Sequence, residues 1–148
     1  MTIYLGTDHA GYKLKEKVKA YLLKREFSVK DFGASSEEPV DYPDFIVPVA
    51  KAVSKNKLSK GIVFGGSGIG ECVAANKIKG IRAALCYDAY TAKMSREHND
   101  ANVLCLGGRT VTKNWNLTKK ILDIWLKTKF SNEARHVRRL KKITKAEK

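Results

Sequence analysis

The stretch Gly61-Ile-Val-Phe-Gly-Gly-Ser-Gly-Ile-Gly-Glu-Cys-Val-Ala-Ala-Asn-Lys77 decides the fold. Its apolar run at 62–64 is bounded by glycines, which predicts a short buried strand. Four of the six residues at 65–70 are glycines, and the composition of 71–77 favours a helix. A strand, a glycine loop and a helix in this order bring backbone N–H groups together at the positive end of the helix, where an anion can bind. The pattern therefore predicts an anion site, although it leaves open a tight turn without a ligand.

The composition predicts a soluble globular protein with one domain. The chain has 148 residues, of which 43% are apolar and 30% are charged, so it can bury a sizeable core. Residues 1–8 resemble a strand rather than a signal peptide, and no apolar run approaches the roughly 20 residues that span a bilayer. The three cysteines, Cys72, Cys86 and Cys105, lie far apart without a Cys-x-x-Cys pattern. This usage predicts free thiols in a cytoplasmic protein and argues against a disulfide framework or a zinc site.

The net charge of +14 raises the question of a polyanionic partner. Residues 133–148 hold seven Lys or Arg and two Glu, which accounts for +5 of this charge. The sequence has no glycine-aromatic RNA-binding signature, zinc-finger spacing or clear recognition helix. We therefore expect a basic surface that attracts small anions rather than a nucleic-acid-binding protein.

Periodicity predicts that strands and helices alternate along the chain. The predicted strands are 2–7, 27–32, 62–64, 80–86 and 102–106, and the predicted helices are 12–26, 45–56, 71–77, 88–97 and 113–127. Pro48 falls near the start of its helix, where proline is tolerated, and Asp88 is a plausible N-cap. Connections too long for hairpins indicate βαβ units. The sequence therefore predicts an α/β fold over residues 1–148, a three-layer α/β/α Rossmann-like domain with a five-stranded parallel sheet. A basic C-terminal helix is expected at about 132–148.

The carboxyl ends of parallel strands share one edge of a sheet, and ligands bind there. Asp8 and His9 follow the first predicted strand, the glycine loop follows the third, and Arg109 follows the fifth. His98 lies in a polar break between a helix and the fifth strand, so this rule places it less firmly. We expect an acid, one or two imidazoles, an anion-binding loop and an arginine along one rim.

The residues around the loop allow more than one interpretation. The loop lacks the spacing of a dinucleotide fingerprint and is not followed by the Lys-Ser/Thr of a phosphate-binding Walker loop. Glu71 is either a helix-start glutamate favoured by the dipole or a general base for proton abstraction next to a carbonyl. Ser67 is either a small turn residue or a donor to a substrate oxygen, and His98 could be structural or functional. Cys72 is interpreted as a packed helix cysteine rather than a nucleophile.

Arginines recur near the C-terminus at helical spacing. Arg135 and Arg139 are four residues apart, so they share one helix face. A solvated face is the default interpretation, but planar guanidinium groups at this spacing also suit a phosphate.

With these residues in place, the chain resembles the ribose-5-phosphate isomerase B family, which is related to the galactose-6-phosphate isomerase subunits. The resemblance runs in order over nearly the whole chain. It is carried by Asp8-His-Ala-Gly11, Asp41-Tyr42-Pro43, Gly66-Ser-Gly-Ile-Gly-Glu71, Ala74-Ala-Asn-Lys77, Gly80-Ile-Arg82, Arg96-Glu-His98-Asn99-Asp100, Gly107-Gly-Arg109 and Arg135-His136-x-x-Arg139.

The resemblance implies an aldose–ketose isomerase that converts ribose 5-phosphate and ribulose 5-phosphate through an enediolate, in the pentose phosphate pathway and without a metal or organic cofactor. Glu71 would be the base between C1 and C2, and His98 with Asp8 would open the furanose ring. One branch of the family has a cysteine at the position of Gly65. The rival functions are a six-carbon phosphosugar isomerase, acting on allose 6-phosphate or galactose 6-phosphate, and a nucleic-acid-binding protein.

The same resemblance assigns the binding residues. The enediolate would be held by Ser67 and the backbone N–H groups of Gly66, Gly68, Ile69 and Gly70. The sugar and its phosphate would be held by His9, Tyr42, Asn99, Arg109, Arg135 and Arg139. In this family the site lies between two subunits of a homodimer, which can pair into a tetramer. His98, Asn99 and the neighbourhood of Arg109 would then come from across the interface, and no membrane or nucleic acid is expected as a partner.

Overall fold

The computed structural model of the protein describes residues 1–110 and 114–147. The strands are β1 (Thr2–Thr7), β2 (Ser28–Asp31), β3 (Lys60–Gly65), β4 (Ala83–Leu85) and β5 (Val103–Gly107). The helices are α1 (Tyr12–Lys24), α2 (Pro43–Lys55), α3 (Ile69–Ala75), α4 (Ala89–Glu97), α5 (Trp115–Lys127) and α6 (Ala134–Ala146).

The five strands form one parallel sheet in the order β2-β1-β3-β5-β4. The chain crosses from β3 to the edge strand β4 and then returns to place β5 between them. Ile62, Val63 and Phe64 of the central strand are completely buried, because helices cover both faces of a parallel sheet. The predicted α/β class with a five-stranded parallel sheet is confirmed.

Alternate residues of the central strands enter two separate cores. Ile62 and Phe64 pack with α1 and α5, around Trp125, whereas Val63 packs with α2 and α3, around Val49. This alternation follows from the twofold repeat of a strand. It confirms the three-layer α/β/α arrangement.

Two helix starts refine the sequence prediction. Helix α2 begins at Pro43 rather than at 45, so Pro48 lies inside the helix and not near its start, and the prediction for Pro48 was wrong. The Asp44 carbonyl cannot accept an N–H from Pro48, because proline has none. Asp88 is confirmed as the N-cap of α4, with its side chain accepting the Thr91 N–H at 2.7 Å.

Helix α5 begins at Trp115, and the Asn114 side chain accepts the Leu117 N–H at 3.0 Å. Its predicted start at 113 lies outside the described residues. Helix α6 lies within the basic C-terminal segment predicted at about 132–148, and its buried residue is His136.

The parallel sheet separates two sets of loops. The loops after β1, β3 and β5 meet at the carboxyl edge, where the Gly108 N–H donates to the Gly65 carbonyl at 2.6 Å and Arg109 N–H to Gly66 at 2.9 Å. The segments before β4 and β5 meet at the opposite edge, where the Asn102 N–H donates to the Arg82 carbonyl at 3.0 Å. Among the described residues, no helix is both long and apolar enough to cross a membrane.

Candidate active site at the carboxyl edge of the sheet

A cavity of about 440 Å³ opens at the carboxyl edge of the sheet. It is lined by Asp8, His9, Ala10, Tyr42, Gly66, Ser67, Gly70, Glu71, Arg109 and Thr110. The structure therefore brings together an acid, an imidazole, the glycine loop and an arginine, as the order of strands and loops predicted. Arg109 lines the same chain's cavity as Glu71, whereas its neighbourhood was expected to come from across a subunit interface.

Glu71 is the more deeply buried of the two carboxylates that line this cavity, the other being Asp8. It lies in the first turn of α3 with 3% of its surface exposed. Its carboxyl group packs against the Cα of Gly65, where any added Cβ would overlap with it. Burial raises the pKa of Glu71, and the nearby charge of Asp8 raises this pKa further. A carboxylate with a raised pKa is a stronger base, which suits reversible proton transfer to and from carbon.

Asp8 and His9 are fixed by hydrogen bonds within the loop after β1. The Asp8 carboxylate accepts the Gly11 N–H at 3.0 Å, which orders the turn into α1. His9 Nδ1 accepts the Val40 N–H at 3.2 Å, so its neutral ring carries the proton on Nε2. This leaves the His9 ring with one N–H donor for an anionic ligand.

The glycine loop owes its shape to close contacts on several sides. Gly68 has φ +81°, a left-handed conformation that favours glycine. A Cβ on Gly70 would lie 2.9 Å from the Tyr42 ring, so this glycine allows Tyr42 to cover the loop. Ser67 Oγ accepts the Ile69 N–H at 3.2 Å. Within the described part of the chain, the residues lining the cavity do not include Gly68 and Ile69.

Thr110 is a cavity residue that the sequence interpretation missed. Its hydroxyl donates to the Gly107 carbonyl at 3.0 Å, which closes the turn after β5. The available signal was its position one residue after Arg109, at the carboxyl end of a central strand.

Four other predicted residues lie outside the lining of this cavity. Among the residues that the structure describes, the cavity lining excludes His98, Asn99, Arg135 and Arg139. His98 ends α4 on the amino-terminal side of β5. Strand β5 has five residues, which span about 16 Å at the rise of a strand. The cavity of one chain therefore does not contain all of the predicted site residues.

His98 instead contacts His136 of α6. The two ring centroids are 4.2 Å apart with an angle of 34° between the ring planes. On the same helix, Arg135 Nε donates to the Glu133 carboxylate at 2.8 Å. The backbone carbonyl of Asn99 accepts Arg82 Nε at 2.8 Å.

Cys72 follows Glu71 in the chain, but its side chain contacts residues that do not line the cavity. Its Sγ donates to the Ala83 carbonyl at 3.4 Å, and Asn76 Nδ2 approaches it at 3.6 Å. A hydrogen bond from the Cys105 thiol lowers the pKa of Cys72 to about 7, although burial opposes this shift. Across residues 1–110 and 114–147, no group of three or more His, Cys, Asp or Glu side chains could hold a metal ion.

Comparisons with known proteins show which family this chain matches. The model of the family described as Ribose/Galactose Isomerase matches residues 3–143. The chain is 42% identical over 145 residues to ribose-5-phosphate isomerase B of Escherichia coli (strain K12), covering 98% of this chain and 95% of the relative. It is 43% identical over 148 residues to a probable ribose-5-phosphate isomerase B of Mycoplasma genitalium, covering 99% and 95%.

Solved structures show the same fold. Ribose-5-phosphate isomerase B of Clostridium thermocellum superposes with a TM-score of 0.93 at 49% identity, covering 98% of this chain and 96% of that one. The Mycoplasma genitalium enzyme, solved with bound ribulose-5-phosphate, gives a TM-score of 0.91 at 42% identity, covering 97% and 94%.

Proposed function

The chain belongs to the ribose/galactose isomerase family, and from this membership we propose that it interconverts ribose 5-phosphate and ribulose 5-phosphate. The observation that carries the proposal is the buried carboxylate of Glu71, packed on Gly65 in a cavity that also holds the glycine loop and Arg109. The Mycoplasma genitalium relative was solved with ribulose-5-phosphate bound. The reaction is an aldose–ketose isomerisation of the pentose phosphate pathway.

Glu71 moves the proton between the two carbons. In the open-chain aldose, its carboxylate takes the proton from C2, the C2 electron pair forms the C1–C2 double bond, and the C1 oxygen gains negative charge. The proton of the C2 hydroxyl passes to the C1 oxygen, which moves the negative charge to the C2 oxygen. The protonated Glu71 then returns its proton to C1 while the C2 oxygen becomes the carbonyl. The raised pKa of Glu71 makes its carboxylate a stronger base for removing a proton from carbon.

The glycine loop stabilises the charge on the enediolate. Three residues of this loop line the cavity, Gly66, Ser67 and Gly70, and their backbone N–H groups with the Ser67 hydroxyl would be donors fixed before the substrate arrives. His9 and Arg109 are the cationic or N–H donors of this chain that would bind the phosphate, where a guanidinium can bind two oxygens at once.

A homodimer would complete the site. His98 ends α4 before β5, about one strand length from the cavity at the carboxyl edge, and the lining of that cavity also lacks Asn99, Arg135 and Arg139. A second subunit could bring its own copies of these residues to the cavity. His98 would then protonate the ring oxygen O4 as the C1–O4 bond breaks, while Asp8 accepts the proton of O1. Asn99 would bind sugar oxygens, and Arg135 and Arg139 the phosphate.

The whole chain would act as one catalytic domain in the cytoplasm. The family match spans residues 3–143, so it includes most of α6 as well as the sheet. The three cysteines are free thiols, as in proteins of a reducing compartment.

An isomerase assay with purified protein tests the proposal. Ribose 5-phosphate, allose 6-phosphate and galactose 6-phosphate are supplied separately, and ketose formation is followed with Glu71→Gln as the inactive control. We expect turnover of ribose 5-phosphate to exceed that of both hexose phosphates. Faster turnover of a hexose phosphate would show that the substrate is a six-carbon phosphosugar. No turnover of any of the three sugars would refute the proposed isomerase activity.

A further inference from the structure

His136 is a buried imidazole to which the reaction scheme gives no part. It is 1% exposed, although it lies on a helix whose other residues are largely exposed. Its Nδ1 shares a hydrogen bond of 2.6 Å with Ser131 Oγ, and this oxygen also accepts the Glu133 N–H at 3.2 Å. The Ser131 N–H in turn donates to the Glu97 carbonyl at 3.0 Å. The His136 ring is therefore held from the loop before α6, and that loop is tied to the end of α4.

The face of this ring lies against His98. The centroids are 4.2 Å apart, and His98 keeps about a third of its side chain exposed on its other side. On α4 itself, the Glu97 carboxylate lies 4.0 Å from His98 Nε2. The His98 ring is thus supported on one face by the fixed ring of His136, and part of it remains exposed to solvent. This is the arrangement expected where one group must be aimed at a ligand from outside the chain.

The surroundings of His136 affect the protonation of its ring. Burial lowers the pKa of His136, and the neighbouring charge of His98 lowers it further. Arg135 and Arg139 act in the same direction, and Glu133 opposes them. The lowered pKa favours the neutral form of His136, the buried ring against which His98 packs.

We propose that His136 is a positioning residue that orients His98 for opening of the furanose ring, with Ser131 fixing its own orientation. This inference rests on the proposed function, in which His98 donates a proton to O4. In this proposal His136 does not contact the phosphosugar and acts on it only by orienting His98. It therefore affects ring opening and leaves proton transfer by Glu71 unchanged.

The chemistry of the two sugars separates these steps. Ribose 5-phosphate is mostly a closed furanose and must open before C2 can react. Ribulose 5-phosphate has its carbonyl at C2 and its O5 blocked by phosphate, so it cannot form a furanose. Exchange of its C1 proton with D₂O therefore reports proton transfer by Glu71 without ring opening, whereas conversion of ribose 5-phosphate requires both steps.

The test measures both rates for the full-length protein and its variants. His136→Phe keeps a flat ring but loses the bond to Ser131, Ser131→Ala releases the ring, and His98→Asn is the reference. We expect His136→Phe to slow conversion of ribose 5-phosphate by roughly tenfold or more, with C1 exchange within about twofold of wild type. Ser131→Ala should show a smaller loss of the same kind, and exposed Lys142→Ala on the same helix should change neither rate.

The outcomes separate this proposal from the function on which it rests. Wild-type protein with neither conversion nor exchange would refute the isomerase itself. In active protein, equal loss of both rates in His136→Phe and Ser131→Ala indicates a purely structural role, and no loss in either variant excludes positioning. If His136→Phe fails to fold, Ser131→Ala alone decides between these results. The double variant His98→Asn/His136→Phe should lose no more conversion than His98→Asn, because the two residues act in one step.

Discussion

The carboxylate of Glu71 occupies the space into which a side chain at position 65 would point. A Cβ built on Gly65 would overlap with both carboxylate oxygens and with Cδ of Glu71. A glutamate at 71 therefore requires glycine at 65, and a cysteine at 65 would place its thiol where this chain holds the Glu71 carboxylate. Side chains at positions 65 and 71 therefore compete for the same part of the cavity.

Gly65→Ala should inactivate the protein by moving Glu71. The φ of Gly65 is outside the left-handed region, so alanine fits its backbone and the effect is steric. We expect turnover to fall at least about 100-fold and the free energy of unfolding to drop by about 1–3 kcal/mol. Steady-state kinetics and urea denaturation measure both quantities.

Gly66→Ala is the matched control for stability. A Cβ there would lie 3.6 Å from Ala10 and Arg109, at ordinary contact distance. Its unfolding free energy should stay within about 0.5 kcal/mol of wild type. A fully active Gly65→Ala would show that the Glu71 carboxylate need not lie where the structure has it.

Glu71→Gln should abolish proton transfer but retain binding of the phosphosugar. The amide has nearly the same shape but cannot act as a base, so we expect turnover to fall by about 10²–10⁴-fold. Calorimetric titration with ribose 5-phosphate should give a Kd within a few-fold of wild type, and turnover near the wild-type value would exclude Glu71 as the base.

The same variant should be more stable than wild type at neutral pH. Because burial raises the pKa of Glu71 in the folded protein, the unfolded chain releases this proton at lower pH than the folded one. Ionisation of Glu71 therefore costs stability as pH rises from the ordinary glutamate pKa, about 4.3, to the higher folded value. Urea denaturation should show the advantage of Glu71→Gln growing between pH 4 and 7.5, and an advantage that shrinks over that range would contradict the raised pKa.

Cys72 should be the thiol that reacts with iodoacetamide in the folded protein. Its pKa of about 7 makes half of it thiolate near neutral pH, whereas burial raises the pKa of Cys86 to about 11 and that of Cys105 well above the ordinary value. Mass spectrometry should show labelling at Cys72 with a rate that is half-maximal near pH 7. Cys72→Ser is the control, and a labelling midpoint near pH 8.5, the value of an ordinary thiol, would contradict the shift.

The regular elements of this fold could be predicted because their signals are local. Strand β1 has the predicted bounds at 2–7, and the apolar run at 62–64 lies in the central strand. The position of β5 between β3 and β4 could not be predicted, since periodicity shows that a strand exists but not which strands it pairs with.

The site was predictable in part for the same reason. The carboxyl-edge rule placed Asp8, the glycine loop and Arg109 together. The contact between His98 and His136 depends on where α6 packs, and no short-range pattern reports that. The sequence indicated Gly65 only as one of the four loop glycines, whereas the structure shows that Glu71 takes the space of a side chain at this position.

Arg135→Ala should weaken binding of the substrate without slowing the chemistry. A guanidinium that binds the phosphate equally in the ground and transition states changes KM and not kcat. We expect KM for ribose 5-phosphate to rise by roughly tenfold or more, as for loss of a charge-assisted hydrogen bond. Lys142→Ala on the same helix is the control for general charge, and an unchanged KM in Arg135→Ala would exclude this phosphate contact.

Two inactive variants should regain activity when their subunits mix. If each site takes Glu71 from one subunit and His98 from the other, a heterodimer of Glu71→Gln and His98→Asn has one site with both native residues. Half of a random mixture is heterodimer with one intact site of two, so we expect about a quarter of wild-type activity. The matched control mixes Glu71→Gln with Asp8→Asn, whose residues line the same chain's cavity, so every site keeps a defect. Native mass spectrometry confirms that subunits exchange. Equal recovery in the two mixtures, or none in either after exchange, would rule out His98 of a second subunit as part of the site.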